Sequence, residues 1–331
     1  MSRNTTVRSD LILLITAVIW GFAFVAQRMG MEHIGPFLFN GIRFALGALT
    51  LVLFLKVKAI YDEKTLGRYN GKKESRNDQL TADRRPPTAD PVPRTANREL
   101  PTVYGVLLGL ILFTGASFQQ VGIVYTTAGN AGFITGLYVI LVPLLGIFSG
   151  HKASWNLWAG ALLALAGLYF LSITKGFEMS PGDLLVLVSA IFWAIHVLYT
   201  GWLSPRTSAI RLAITQFAVC SALSLLSAFI FESNSFEGIY HAAWPILYGG
   251  ILSVGIAYTL QIVGQKKALP SHAAIIMSLE TVFAVIGGVL ILSETMNERK
   301  WIGCLLMLLG MVMAQISVGS RQPAVRIKGG G

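Results

Sequence analysis

The chain has 331 residues, of which 54% are hydrophobic and only 13% are charged, and its mean hydropathy is +0.63. Because soluble domains carry about 25% charged residues, this composition excludes a soluble protein and indicates a membrane protein with several spans. The net charge of +10 reflects basic residues placed between the spans, so no nucleic-acid partner is expected.

Ten apolar stretches are long enough to cross a hydrocarbon core of roughly 30 Å as helices. We place them at 11–29, 36–57, 102–121, 129–149, 157–173, 183–202, 210–231, 243–263, 271–292 and 301–318. No small-residue cleavage pattern follows the first stretch, so it is interpreted as a retained span. The sequence therefore predicts an all-α integral membrane protein with ten transmembrane helices.

The segment 61–100 breaks this membrane pattern between the second and third spans. It is polar, mixes both charge signs and holds four of the prolines. This composition is typical of a disordered cytoplasmic loop. Its basic residues would also suit contact with anionic lipid, although the interspersed acids weaken that alternative.

The basic residues are distributed unevenly between the two sides that the spans create. With the N-terminus inside, 21 of the 26 Lys and Arg residues lie on the inner side. Only Arg28, Lys175, Arg299 and Lys300 lie outside, and Arg43 lies within a span. Since cytoplasmic segments are enriched in Lys and Arg, we expect a multi-pass cell-membrane protein with both termini in the cytoplasm.

The chain also repeats itself. Each copy holds five spans, and an odd number of crossings forces the second copy to enter the membrane from the opposite side. This predicts two inverted repeats, 1–177 and 178–320, followed by a cytoplasmic tail at 321–331. Secondary transporters use this architecture and bind solute near the midplane. The matched pairs include Asp10 and Asp183, Trp20 and Trp193, Ala131 and Ala274, Gly160 and Gly303, and Gly167 and Gly310.

Polar and aromatic side chains within the spans are candidate solute contacts, because polar groups facing lipid would be left unsatisfied. Trp193 and His196 share one helical face, and their repeat partners Trp20 and Ala23 share the matching face of the first span. Such faces suit opposite walls of one cavity, although helix packing uses similar residues. The predicted uncharged contacts are Trp20, Gln27, Gln119, Tyr138, Trp193, His196, Tyr258 and Gln261.

Two charged residues, Arg43 and Glu280, stand out by their depth within the spans. Arg43 lies seven residues past Pro36, roughly 10 Å below the outer surface, and Glu280 lies roughly 14 Å from the inner surface. A buried ion is costly and usually marks a pathway, a relay or a structural pair. Glu280 is predicted either to bind solute or exchange a proton, or to form such a pair. Arg43 is predicted to contact solute, or else to reach toward the surface.

Sequence motifs for other chemistries are absent. Segment 67–73 only superficially resembles a phosphate-binding loop, because its glycines are four apart and Lys73 stands where Ser or Thr should coordinate Mg²⁺. No HExxH, GxSxG or paired-cysteine pattern occurs. Cys220 and Cys304 fall within spans and predict neither a disulfide nor a metal site. No cofactor is expected.

Short motifs occur in an ordered series in both halves of the chain: Ala17-x-x-Trp20-Gly21-x-x-Phe24, Pro36, Arg43, Asp183, Ala190, Trp193, Ala273-Ala274, Glu280, Ser293-Glu294, Gly303 and Gly310. In these motifs the chain resembles the EamA-type, ten-helix branch of the drug/metabolite transporter superfamily. The resemblance covers nearly everything except 61–100. The family often has Glu-Pro in the ninth helix and Gly-Glu at its end, where this chain has Thr281 after Glu280 and Ser293 before Glu294.

The resemblance implies two five-helix bundles around a central cavity, which move small solutes such as amino acids or other metabolites by alternating access. The sequence does not decide between proton coupling through Glu280 and uncoupled facilitation or exchange. It also does not decide whether the protein forms a homodimer. The rival interpretation is a membrane-embedded enzyme. That would need a nucleophile or paired acids, and the sequence offers only Glu280 at depth.

Overall fold

The computed structural model describes residues 3–77, 102–147, 154–173, 179–203, 207–233, 235–265 and 276–319. These residues are almost entirely helical, and the β-type pairing among them is an isolated bridge between Ile173 and Met179. The elements are α1 (Arg3–Gly30), α2 (Pro36–Asn77), α3 (Thr102–Val124), α4 (Ala128–Gly136), α5 (Tyr138–Gly146), α6 (Trp155–Ser172), α7 (Pro181–Leu203), α8 (Ala209–Phe231), α9 (Phe236–His241), α10 (Ala243–Leu247), a π-helical segment (Tyr248–Ala257), α11 (Tyr258–Gln265), α12 (Glu280–Leu292) and α13 (Glu298–Gly319).

The all-α membrane fold is confirmed. Within the described ranges, eight helices are long and apolar enough to cross a membrane, and they coincide with the first eight predicted spans. The predicted ninth span includes residues 271–275, which lie outside the described ranges, and α12 forms its remainder. The predicted tenth span lies within α13. The count of ten spans stays a prediction.

The prediction of disorder across 61–100 is wrong at its beginning, because α2 continues to Asn77. Lys, Glu and Arg are abundant in this extension and are good helix formers, and the nearest proline that could stop the helix is Pro86. Residues 78–100 of the predicted loop lie outside the described ranges.

The last helices of the two repeats, α6 and α13, pack through glycines. A Cβ built on Gly160 would lie 2.6 Å from the carbonyl oxygen of Gly310, and one on Gly310 would lie 2.6 Å from that of Gly160. Gly167 and Gly303 face each other in the same way, at 2.7 and 2.8 Å. Since Gly160 matches Gly303 and Gly167 matches Gly310 in sequence, the contact is reciprocal and the helices are antiparallel, as an inverted repeat requires.

The other helix pairs follow the same exchange of halves. α2 packs on its repeat partner α8. α3 packs on α7, and in the equivalent contact the eighth span (α10, the π-helical segment and α11) packs on α1. α12 packs on α1, and α4 and α5 pack on α7. One apolar core lies among α1, α4 to α7, α12 and α13, and a second joins α2, α3 and α8. The repeats are therefore interleaved and do not form separate lobes.

A tight turn interrupts the fourth and ninth spans at places that differ by one residue in the register of the repeat, which sets Leu137 on Glu280. Leu137 separates α4 from α5, and its amide bonds the carbonyl of Ile134, three residues back. Leu279 makes the same bond to Ile276 just before α12. Both leucines have similar backbone angles, φ −60° and ψ −19° against φ −64° and ψ −14°. A tight 3₁₀ turn of this kind in the middle of a helix often marks a functional hinge.

Candidate functional site

An aromatic row runs through the middle of the protein. The Trp20 ring meets the Tyr258 ring edge-on at 5.2 Å, Tyr258 meets Phe217 at 5.3 Å, and Phe217 meets Phe44 at 5.8 Å. The indole Nε1 of Trp20 donates to the Ser253 carbonyl at 3.2 Å. The row links α1, α11, α8 and α2, and therefore joins both repeats.

Arg43 lies at one end of this row. Its side chain is only 4% exposed, so it does not reach toward the surface. The guanidinium lies over the rings of Phe44 and Phe39, with Cζ 4.9 and 5.7 Å from the two centroids. Its Nε is buried and has no hydrogen-bond partner within the described residues. Contact with aromatic faces stabilises a desolvated cation in part, and the Nε donor stays available for an acceptor.

Glu280 is buried beside the two helix interruptions. It is the first residue after the turn at Leu279, and Tyr138 is the first residue after the turn at Leu137. The two side chains hydrogen-bond each other. Tyr258 lies close enough to interact electrostatically with both Glu280 and Arg43. The acid and the phenol of Tyr138 thus lie close to Tyr258, a member of the aromatic row.

Trp193 and His196 lie on the other side of the row. Their rings meet edge-on at 5.8 Å, and Trp193 packs against the apolar cluster that contains Phe217. The imidazole Nε2 of His196 lies 2.7 Å from the Gln216 amide oxygen, so His196 has a structural partner. The Trp193 indole nitrogen is buried without a hydrogen-bond partner within the described residues, and could donate to a solute.

The three predicted glutamines lie at different places. Gln119 donates to the Thr135 hydroxyl at 2.9 Å, and Gln27 donates to the carbonyl of Ala23 in its own helix at 3.1 Å. Both bonds hold protein groups together, although the Oε1 atom of Gln27 is buried without a partner in the described ranges. Gln261 is half-buried, one turn beyond Tyr258 on α11. Gln261 therefore lies on the same helix as a member of the aromatic row, one turn away from it.

Several residues of this region were not singled out from the sequence. Phe44 and Phe217 could have been found, because the register that sets Trp20 on Trp193 also sets Phe44 on Phe217. Gln216, the partner of His196, could have been found in the same way, because this register sets Arg43 on Gln216. Asn40 donates to the Ala116 carbonyl at 3.0 Å while its Oδ1 is buried without a partner among the residues described. It adds a free acceptor one turn before Arg43.

The face of the protein where α1 ends is held by carboxylates at helix starts. Glu294 accepts from the amides of Ala128 and Gly129 at 2.6 and 3.1 Å, and so caps α4. Glu232 accepts from the amides at the start of α2, at 2.7 and 2.9 Å. Negative charge at a helix N-terminus is stabilising. Asp183 accepts from Thr126 and Asn130 close by.

Both halves of the chain match one family of known proteins. Residues 7–173 and 180–315 each match the EamA-like transporter family. The chain belongs to this family. The resemblance inferred from the sequence is thereby confirmed, and with the eight apolar helices it establishes a multi-pass membrane protein. Among the described residues, no cluster of His, Cys, Asp and Glu could hold a metal ion.

Relatives of this EamA-family protein span nearly its whole length. An uncharacterized transporter of Archaeoglobus fulgidus is 29% identical over 316 residues, covering 94% of this chain and 86% of its own. YoaV of Bacillus subtilis, an uncharacterized transporter, is 24% identical over 320 residues, with coverages of 94% and 97%. YedA, an uncharacterized inner membrane transporter of Escherichia coli, is 22% identical over 311 residues, with coverages of 90% and 88%. A protein of known crystal structure, 20% identical, superposes with a TM-score of 0.61 over 94% of this chain and 99% of its own, which supports the fold alone.

Proposed function

We propose that this protein is a secondary transporter that moves a small polar or amphipathic metabolite, an amino acid or a related compound, by alternating access. The observation that carries the proposal is the meeting of the two interrupted spans at Tyr138 and Glu280, beside an aromatic row shared by both repeats. A 3₁₀ turn in the middle of a helix often marks a functional hinge, and transporters bind solute near the midplane, at the interface between their repeats.

The side chains around this place offer complementary chemistry for such a solute. Arg43 provides a buried donor and Glu280 an acid, while Trp20 and Trp193 provide broad apolar faces. A buried acid is a common proton carrier in transporters. Glu280 is therefore the group through which a proton gradient would drive accumulation, with uncoupled exchange as the alternative.

The test begins with purified protein and a metabolite library. A solute that binds the folded state raises the melting temperature in a saturable way, by mass action. With that solute, Glu280→Gln keeps the size and hydrogen bonding of the side chain but removes its titratable proton. We expect normal folding and normal exchange, together with loss of accumulation driven by a pH gradient. Glu298→Gln, at an exposed acid, is the matched control.

Unchanged accumulation in the Glu280→Gln protein would exclude Glu280 as the coupling group. If the wild-type protein itself shows exchange without any dependence on pH, the uncoupled alternative is correct. In that case Glu280 binds solute or holds the helices together. We also propose that both termini lie in the cytoplasm, because the uneven distribution of Lys and Arg favours that orientation.

A further inference from the structure

A cavity of about 390 Å³ opens at the face where α1 ends, away from the aromatic row. It lies between the last turn of α1, the connection from α3 to α4, and the end of α12, and we call it the vestibule. Its charged lining residues are Arg28, Glu32 and Glu294. The cavity is open to its surroundings and is not an enclosed cleft.

The wall of this vestibule is fixed by internal hydrogen bonds. Both carboxylate oxygens of Glu294 accept amides at the start of α4. Thr126, from the connection between α3 and α4, donates to Asp183 on α7. Glu294 is thus occupied in holding the wall, and its charge is partly offset by the helix start that it caps.

Arg28 and Glu32, unlike Glu294, do not hold the wall of the vestibule through hydrogen bonds among the described residues. Arg28 is half-buried, and Glu32 is exposed four residues further along the chain. Neither side chain has a hydrogen bond or an ion pair within the described part of the chain. A cation suits the C-terminal turn of α1, which explains why a positive residue is tolerated there. It does not explain why two opposite charges line one cavity without being paired.

We infer that this vestibule binds the two charged ends of a small zwitterion, with the carboxylate on Arg28 and the ammonium on Glu32, as an entry site for the transported solute. A guanidinium matches a carboxylate with two parallel donors. The inference rests on the proposed function and adds a second site for the same solute, lined by residues other than those of the aromatic row. The repeat partner of Arg28 is Gly201, so the second repeat has no matching cation and the site belongs to one face.

The test measures equilibrium binding of the twenty proteinogenic L-amino acids to the full chain in lipid nanodiscs. The tightest binder is then compared with its α-carboxamide and its N-acetyl form. We expect each modified compound to bind about tenfold or more weakly, as loss of a charged hydrogen bond predicts. Arg28→Gln should weaken binding of the parent amino acid by a similar factor, and Arg28→Lys by less.

Arg299→Gln is the matched control, since Arg299 lies on the same predicted face but contacts the carbonyl and ring of Tyr169. It should bind like the wild-type protein. Wild-type affinity in Arg28→Gln, equal binding of the carboxamide, or no binding of any of the twenty amino acids would each overturn the inference.

Solute exchange in proteoliposomes separates this result from the proposed function. At saturating solute, Arg28→Gln should keep the maximal exchange rate and raise only the half-saturating concentration. If Arg28→Gln exchanges solute with an unchanged half-saturating concentration, transport stands and the vestibule site is wrong. If no solute of a wider metabolite library is exchanged by the wild-type protein, the proposed function fails instead.

Discussion

The glycine contact between α6 and α13 gives a prediction about stability that tests the inverted arrangement. Gly160→Ala and Gly310→Ala each add a methyl group about 2.6 Å from a backbone carbonyl oxygen of the other helix. Ordinary carbon contacts are near 3.5–4.0 Å, so the helices must separate by roughly 1 Å. Overpacking of this kind costs about 1–3 kcal/mol, and the higher helix propensity of alanine offsets up to about 1 kcal/mol. We expect a net loss of about 1–2 kcal/mol for each variant.

The assay is equilibrium unfolding in mixed micelles. The double variant should lose less stability than the sum of the two single losses, because the first methyl group already separates the helices. Gly249→Ala is the control, since its added Cβ would meet nothing closer than 3.5 Å. Without overpacking, it should gain up to about 1 kcal/mol from the helix propensity of alanine. Single variants as stable as the wild-type protein, or fully additive losses, would refute a close reciprocal contact between these helices.

Two further predictions concern the end of α12 and the orientation in the membrane. Among the described non-glycine residues, Ser293 has a left-handed backbone, with φ 54°. Because glycine adopts this conformation without strain, Ser293→Gly should stabilise the protein by about 1 kcal/mol in the same unfolding assay. Lower stability would argue against that backbone conformation. Reporter fusions after Thr126 and after Lys328 should report the exterior and the cytoplasm respectively, and two reporters on the same side would exclude the proposed topology.

The sequence predicts best those features that depend on the local residue pattern and not on contacts between distant segments. Apolar length located eight helices, and the matched spacing of Gly160 and Gly167 with Gly303 and Gly310 indicated the repeat. The first feature follows from the thickness of a bilayer, and the second follows from duplication of the chain. Neither requires knowledge of tertiary contacts.

Other features arise only when distant segments meet. The turns at Leu137 and Leu279 are not predicted by the residues at the turns themselves, yet they align Tyr138 with Glu280. The cap that Glu294 provides depends on a contact between residues more than a hundred positions apart. The helical extension of α2 was missed because polar composition was given more weight than the helix propensity of its Lys and Glu residues.

Counterflow of a radiolabelled solute into proteoliposomes tests the central claim most directly. The solute is the compound that stabilises the purified protein in the thermal screen, and the proteins compared are wild type, Trp20→Ala, Trp193→Ala and Trp155→Ala. The indole of Trp155 is 80% exposed, so its variant serves as the control. We expect saturable counterflow by the wild-type and Trp155→Ala proteins, and a clear loss in Trp20→Ala and Trp193→Ala at equal folded yield. Wild-type counterflow in both Trp20→Ala and Trp193→Ala would contradict a solute path between the two repeats.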